Sequence, residues 1–288
     1  MTEPRLRHVQ CLGSRGLHRM AYWEWGDPRS PHVVVCAHGL SRQGRDFDTL
    51  AVSLCERYRV VCPDVVGRGQ SDWLADPTGY AIPAYVADMV SLLARLDAEV
   101  IDWVGTSMGG LIGLGLAALP GSPLRRLVLN DVGPTIEPVS LARIGTYLGQ
   151  PAHWATVDEA ADALLAISQG FGPHTREQWL ALTRPQLKPD GSGFKPHYDP
   201  AIALPFRLIT PELAKAGEAA LWAMYDHLRL PVLLLRGAES DLLSVATARA
   251  MTERGPKARL IEFAGVGHAP MLVQPEQRQA VTDFLQAP

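Results

Sequence analysis

The sequence has little net charge, and this argues against several kinds of partner. The 27 lysines and arginines nearly balance the 30 aspartates and glutamates, which gives a formal charge of −3 and a pI near 6.3. Proteins that bind nucleic acids or anionic membranes through charge carry clustered basic residues, and no such run occurs here. We therefore expect neither a nucleic acid nor a membrane as partner, and a small molecule as ligand.

Long apolar stretches and paired cysteines are also missing. No stretch approaches the roughly eighteen apolar residues of a membrane-spanning helix, and the arginine-containing N-terminus lacks the apolar core of a signal peptide. The four cysteines (Cys11, Cys36, Cys55 and Cys62) have no C-x-x-C spacing, so we expect buried thiols in a reducing compartment. No H-E-x-x-H motif occurs. The sequence predicts a cytoplasmic monomer or homodimer that needs no metal or cofactor.

Short apolar runs alternate with helical patterns along most of the chain, which is typical of a parallel sheet buried on both faces. The runs predicted as strands are residues 5–12, 18–25, 32–37, 59–63, 100–104, 126–130, 231–236 and 258–263. The first two are predicted to be antiparallel. Between Pro134 and about Arg229 no strand pattern is seen, and prolines and glycines punctuate helical patches. We predict an α/β core of residues 1–133 and 230–288, with a helical cap inserted at 134–229.

One pentapeptide joins a predicted strand directly to a predicted helix. Gly105-Thr-Ser-Met-Gly109 follows the apolar run that ends at Val104 and precedes a helical pattern from Leu111. A serine in so sharp a turn has a strained backbone, and the flanking glycines let strand and helix approach each other. This context is that of a nucleophile elbow, and it predicts Ser107 as a nucleophile.

A serine hydroxyl needs an imidazole as base and a third group to orient that imidazole. His268 is the candidate base, because it follows the last predicted strand in a glycine-containing loop at the edge of the sheet where ligands bind. Asp241 is the preferred acid, since it follows the apolar run at 232–235 and gives the chain order serine, aspartate, histidine. Glu239, closer to that strand, and Asp131, after the preceding strand, are also candidates for the acid.

The chain resembles the α/β-hydrolase superfamily over nearly its whole length. The stretches that carry the resemblance are His38-Gly39-Leu40, Asp64-x-x-Gly67-x-Gly69-x-Ser71, the elbow, and Asp241 with Gly267-His268. The resemblance implies an oxyanion hole made of the backbone N–H groups of Leu40 and Met108, in which one donor contributes roughly 3 kcal/mol to transition-state binding. It also implies that His38 braces the oxyanion loop.

The resemblance favours a carboxylic-ester hydrolase that acts on small, mostly uncharged acyl or aryl substrates. Ser107 argues against haloalkane dehalogenases and epoxide hydrolases, for which the resemblance implies an aspartate at that position. A carbon-carbon hydrolase of meta-cleavage products is a second possibility, although those enzymes commonly have an aromatic residue after the histidine, where this chain has Ala269-Pro270. The same motifs are compatible with a lactonase, a thioesterase, a polyester-oligomer hydrolase or a ligand receptor without catalysis.

Aromatic residues of the predicted cap are candidates for the wall of an acyl pocket. The cap aromatics are Tyr147, Trp154, Phe171, Trp179, Phe194, Tyr198, Phe206 and Trp222. We expect most of them to pack between the cap helices and the core. Trp154, Phe171, Trp179 and Tyr198 are the predicted substrate-binding residues. Arg42 and Arg68 could reach a substrate carboxylate, although an exposed arginine is more often solvated.

Overall fold

A computed structural model describes residues 3–287 of the chain. Its main sheet has eight strands: β1 (Arg5–Gly13), β2 (Gly16–Trp25), β3 (His32–Ala37), β4 (Arg59–Pro63), β5 (Val100–Thr106), β6 (Leu124–Asn130), β9 (Val232–Gly237) and β10 (Arg259–Phe263). Their order across the sheet is β1-β2-β4-β3-β5-β6-β9-β10. All neighbouring pairs are parallel except β1 with β2 and β2 with β4. The predicted mostly parallel sheet with a leading antiparallel pair is confirmed.

Helices cover both faces of this sheet. The helices of the chain before and after residues 134–229 are α1 (Asp48–Leu54), α2 (Ile82–Leu96), α3 (Met108–Ala117), α9 (Val245–Glu253) and α10 (Pro275–Gln286). The side chains of β3 show that the sheet has an apolar core on each face. Val33 and Val35 pack in a cluster with α2 and α3. Val34 and Cys36 pack in a cluster with α1 and α10. Successive side chains of a strand point to opposite faces, so an uninterrupted apolar run requires a core on each side.

The segment between β6 and β9 is mainly helical. It contains α4 (Pro138–Tyr147), α5 (Val157–Ile167), α6 (Arg176–Thr183), α7 (Ala203–Arg207) and α8 (Pro211–His227). The expectation that this segment has no strands is wrong, because β7 (Leu187–Asp190) and β8 (Gly193–Pro196) form an antiparallel hairpin. A two-residue turn joins them, and its first residue, Gly191, has a φ of 58°, which glycine adopts without strain. The Asp190-Gly191 pair, which indicates a loop in the sequence, here joins the end of β7 to the hairpin turn.

Two further features bear on the sequence-based expectations. Cys11, Cys36 and Cys62 are buried free thiols, whereas Cys55 is partly exposed at the end of α1. Within residues 3–287, no helix combines the length and the apolar character needed to cross a membrane.

Candidate active site

Ser107 lies in the turn between β5 and α3, and its backbone is strained. Its φ is 52°, in the left-handed region that residues with a side chain rarely adopt. A Cβ atom on Gly105 would collide with the backbone of Gly109, and one on Gly109 would collide with the carbonyl of Ala37 in β3. Both flanking positions therefore require glycine, as predicted for an elbow. The turn presents the serine side chain at the carboxyl edge of the sheet.

His268 links this serine to a carboxylate. It lies in the loop between β10 and α10, and its Nε2 is 3.0 Å from Oγ of Ser107. Its Nδ1 is 2.8 Å from Oδ2 of Asp131. Because a carboxylate only accepts hydrogen bonds, the neutral imidazole carries its proton on Nδ1 and offers the Nε2 lone pair to the serine hydroxyl. Ser107, His268 and Asp131 thus form one continuous chain of hydrogen bonds.

Asp131, and not the expected Asp241, is the acid that contacts the imidazole. It follows β6, the strand beside β5, and its fully buried carboxylate also accepts hydrogen bonds from the Gly237 N–H (2.9 Å) and the Ser240 hydroxyl (2.6 Å). Asp241 lies four residues beyond the end of β9 and forms a bidentate ion pair with Arg143 of α4 instead. The sequence does carry a signal for Asp131. It directly follows a buried strand, and that strand is the next one in the chain after the strand that precedes Ser107.

The backbone N–H groups of Leu40 and Met108 are available near the serine. Among residues 3–287, neither group donates a hydrogen bond. Leu40 also lies on the wall of the cavity that contains Ser107. Unpaired donors beside a nucleophile are the arrangement that an oxyanion hole requires.

His38 holds the loop that carries Leu40. Its Nδ1–H donates to the carbonyl of Gly39 (2.7 Å), and its Nε2 accepts from the N–H of Val65 (2.9 Å). Complete burial lowers the pKa of His38 to about 3. The imidazole is therefore neutral at physiological pH, which keeps its acceptor nitrogen available for Val65.

Arg68 supports the same loop from inside the protein. Its Nε donates to the carbonyl of Leu40 (2.8 Å), and its Nη2 lies 3.7 Å from Sδ of Met108. The side chain is completely buried and also donates to the hydroxyl of Tyr85. The expectation that Arg68 could reach a substrate is wrong, because this guanidinium contacts both residues of the candidate oxyanion hole from behind.

Ser107 and His268 open into a cavity of about 350 Å³, a size suited to a small ligand. Three of the four predicted substrate-binding aromatics, Trp154, Phe171 and Tyr198, lie on its wall. Trp179 does not. It is buried, donates its indole N–H to the carbonyl of Ala161 (2.7 Å), and packs edge-on against Phe171. Trp179 therefore supports the wall from behind.

The cavity wall also carries charged groups. Arg42 and Arg143 line it together with Asp46. Arg42 donates to both carboxylate oxygens of Asp46 at 2.7 Å, and its guanidinium lies over the ring of Phe171. Burial raises the pKa of Asp46, while Arg42 opposes that shift. Two guanidinium groups therefore border the space where substrate would lie, beside the aromatic residues of the wall.

Among residues 3–287, one group of side chains has the residue types of a metal site, and it lies away from this cavity. Candidate ligand atoms of Cys11, His18 and Asp88 lie within 4.8 Å of one another, between the β1–β2 hairpin and α2, and none of the three residues lines the cavity. Burial raises the pKa of the Cys11 thiol to about 12, which favours the thiol over the thiolate that a metal binds. Nε2 of His18 is already 3.0 Å from Oδ2 of Asp88. This group is described more simply as a buried hydrogen-bonded cluster.

Comparisons with known proteins bear on this site. A sequence model of the alpha/beta hydrolase family matches residues 34–283. The chain is 57% identical over 285 residues to a 3-hydroxybutyrate-oligomer hydrolase of Cupriavidus necator, and the match covers 98% of this chain and 97% of that protein. It is 30% identical over 250 residues to a pimeloyl-[acyl-carrier protein] methyl ester esterase of Chromobacterium violaceum, covering 83% and 88% of the two chains.

A solved structure resembles the whole chain. The crystal structure of an alpha/beta hydrolase from Novosphingobium aromaticivorans superimposes with a TM-score of 0.85. The two sequences are 35% identical, and the alignment covers 99% of each chain. The similarity therefore extends through the segment between β6 and β9 as well as the sheet.

Proposed function

The chain belongs to the α/β-hydrolase family, and we propose that it cleaves short oligomers of 3-hydroxybutyrate through an acyl-enzyme on Ser107. The predictions of this fold and of an ester hydrolase are confirmed by the family model and by the relatives. The catalytic assignment rests on one observation above all. Ser107, His268 and Asp131 are joined by hydrogen bonds of 3.0 and 2.8 Å at the edge of a cavity.

In the proposed acylation step, Oγ of Ser107 attacks the ester carbonyl while Nε2 of His268 takes the hydroxyl proton. The carbonyl oxygen becomes an oxyanion, which the N–H groups of Leu40 and Met108 stabilise. The C–O bond to the leaving alcohol then breaks, and the imidazolium returns its proton to that oxygen. Asp131 keeps the imidazole oriented and stabilises its transient positive charge.

Deacylation repeats these steps with water. His268 takes a proton from water, whose oxygen attacks the acyl-enzyme carbonyl and forms a second oxyanion at the same two N–H groups. Release of Oγ, which regains its proton from the imidazolium, frees the acid product. This chemistry balances with the ester and one water molecule as reactants, and none of its steps uses a cofactor.

The substrate class is proposed from the relative and from the cavity. A linear hydroxyalkanoate dimer or trimer is a small aliphatic ester, and the volume of about 350 Å³ favours a ligand of this kind over a long polymer. Residues 134–229 are proposed as the cap that selects it, because this segment contributes Arg143, Tyr147, Trp154 and Tyr198 to the wall. The free thiols are in keeping with a cytoplasmic enzyme, which is part of the proposal.

The test is hydrolysis of the purified linear dimer and trimer of 3-hydroxybutyrate, with products separated by chromatography. Replacing Ser107 by alanine is expected to lower kcat by about a millionfold, the loss seen when a protease loses its serine nucleophile. A fluorophosphonate probe is expected to label the wild type and not S107A. Circular dichroism of S107A checks that the variant is folded.

Parallel substrates distinguish the competing functions. A short lactone, an acyl thioester and an aromatic meta-cleavage product are assayed beside the dimer and p-nitrophenyl butyrate. A higher kcat/KM for the meta-cleavage product would favour a carbon-carbon hydrolase and contradict the proposal. Absence of both turnover and labelling at Ser107 would instead favour a ligand receptor.

A further inference from the structure

Arg143 and Asp241 form an ion pair beside the candidate active site. Nε of Arg143 is 2.7 Å from Oδ2 of Asp241, and Nη2 is 2.9 Å from Oδ1. The two side chains are 38% and 35% exposed, and Arg143 lies on the cavity wall together with Ser107 and His268. A bidentate carboxylate fixes the plane of the guanidinium. Asp241 therefore orients Arg143 at the edge of the cavity.

This ion pair leaves part of the guanidinium free. An arginine side chain has five N–H donors in a planar fork, and Asp241 uses only the Nε and Nη2 edge. Asp241 accepts one hydrogen bond from Nε and one from Nη2 of this guanidinium. The phenol of Tyr147, one turn further along α4 and also on the wall, interacts with it. Burial raises the pKa of Tyr147, so its hydroxyl remains a donor at neutral pH.

Arg42, the other arginine of the wall, has less capacity for a ligand. Its Nε and Nη2 both donate to the buried Asp46, Nη2 also donates to the carbonyl of Leu182, and Phe171 lies against one face. Its side chain is 13% exposed, about a third of the exposure of Arg143. Arg143 is therefore the arginine better placed to meet an anion from the cavity.

The chemistry of the substrate indicates where such an anion would lie. In a linear 3-hydroxybutyrate dimer the free carboxylate belongs to the leaving alcohol, two carbons from its ester oxygen. That oxygen must receive a proton from Nε2 of His268, so the carboxylate has to lie on the histidine side of the cavity. Asp241 directly follows Ser240, whose hydroxyl donates to Oδ2 of Asp131, the same oxygen that Nδ1 of His268 contacts. Arg143 and His268 also line the same cavity. The Arg143–Asp241 pair is thus on the histidine side of the site.

We propose that Arg143 and Tyr147 form a subsite for the carboxylate on the leaving-group side of the scissile ester. This inference rests on the proposed function and refines it: short hydroxyalkanoate acids are better substrates than neutral esters of the same shape. The sequence alone favours a mostly uncharged substrate, whereas this subsite would bind a carboxylate. Asp241, the predicted triad acid, is here the positioning residue for Arg143.

The first test compares two dimers that differ only in charge, the free acid and the primary amide at the same carbon. Wild-type kcat/KM is expected to be about tenfold to a hundredfold higher for the acid, the range for a charge-assisted hydrogen bond. In R143M this ratio falls to near one, mainly through KM for the acid. R143K gives an intermediate ratio, because lysine keeps the charge but loses the planar fork. A wild-type ratio near one, or an equal loss on both dimers in R143M, overturns the subsite.

The second test does not depend on turnover. Calorimetry measures binding of 3-hydroxybutyrate and 3-hydroxybutyramide to S107A and to the S107A/R143M double variant. The acid is expected to bind S107A at least about tenfold more tightly than the amide, and R143M is expected to abolish that difference. Equal binding of the acid with and without Arg143 overturns the inference. If the dimers are not cleaved, the proposed substrate fails, while this measurement still decides whether Arg143 binds the carboxylate.

A matched control separates the subsite from general loss of an ion pair. Arg254 pairs with Asp226 at side-chain exposures of 48% and 34%, similar to those of Arg143 and Asp241, and neither residue lines the cavity. R254M is expected to keep the wild-type preference for the acid dimer. If R254M also loses that preference, the loss in R143M is due to reduced stability, and the proposed carboxylate subsite is overturned.

Discussion

Asp131 reaches His268 from the end of β6, the strand beside the one that precedes Ser107. Its Oδ2 lies 2.8 Å from Nδ1 of the imidazole, and β6, which it follows, pairs directly with β5. The acid therefore precedes residues 134–229 in the chain, whereas Asp241 follows them. This arrangement leaves Asp241 available to bind Arg143 of α4.

The elbow gives a prediction about glycine. A Cβ on Gly109 would collide with the backbone carbonyl of Ala37, which cannot move without displacing β3. G109A is therefore expected to destabilise the protein by about 1–3 kcal/mol and to lower kcat. Urea unfolding measures the first effect. Gly217 of α8 is the matched control, since a Cβ there meets nothing within 4 Å, and G217A is expected to stabilise by about 0.5–1 kcal/mol. Equal stability of G109A and wild type would contradict the packing argument.

Arg68 is expected to act on catalysis by positioning the oxyanion loop. R68M removes the hydrogen bond to the Leu40 carbonyl and the contact with Met108. Because a displacement of about 1 Å costs up to about a hundredfold in rate, we expect kcat to fall by about tenfold to a hundredfold, with a smaller change in KM. Steady-state kinetics on p-nitrophenyl butyrate checks this, with thermal unfolding to verify the fold. A folded R68M with wild-type kcat would rule out the positioning role.

His38 is expected to contribute to acid sensitivity. Its pKa falls from 6.5 in the unfolded chain to about 3 in the folded protein, so below 6.5 the unfolded state binds the extra proton. The stability that depends on neutral His38 is present above pH 6.5 and is lost as pH falls toward 3. Between pH 7 and pH 5 this loss is about 2 kcal/mol.

The measurement is urea unfolding of wild type and H38Q at both pH values. H38Q is expected to lose less stability on acidification than the wild type. Asp64 has the opposite effect on the pH dependence of stability. Because burial raises its pKa to about 6, its contribution to the free energy of unfolding falls as pH rises above 3.8. That contribution is common to both proteins, so the difference between them isolates His38. An identical loss in wild type and H38Q would contradict this role for His38.

The sheet could be predicted from sequence because its signals are local. The run Arg59–Pro63 forms β4 with the predicted bounds, since a buried strand needs only a short apolar stretch and its turns. Ser107 and His268 could also be predicted, because the strained elbow and the glycine-containing loop are themselves local patterns. Their meeting at 3.0 Å follows from the parallel topology, which brings both loops to one edge.

The residues adjacent in sequence to Asp131 and Asp241 do not show which of the two is the triad acid. Asp131 and Asp241 both follow buried strands that end at the same edge of the sheet. What separates them is non-local: the Ser240 hydroxyl holds the Asp131 carboxylate, and Arg143 of α4 turns Asp241 away. The place of Trp179 behind the cavity wall has the same kind of cause, since the carbonyl of Ala161 holds its indole there. Side-chain partners that lie far apart in sequence leave no signal in a local pattern.

The identity of the triad acid is the central claim, and two variants test it most directly. D131N and D241N are compared on p-nitrophenyl butyrate, a neutral ester that does not need the carboxylate subsite. D131N is expected to lower kcat by about 10⁴-fold, as the equivalent change does in a serine protease. D241N breaks a partly exposed ion pair and is expected to cost less than about tenfold. A collapse of kcat in D241N, with D131N close to wild type, would contradict the assignment.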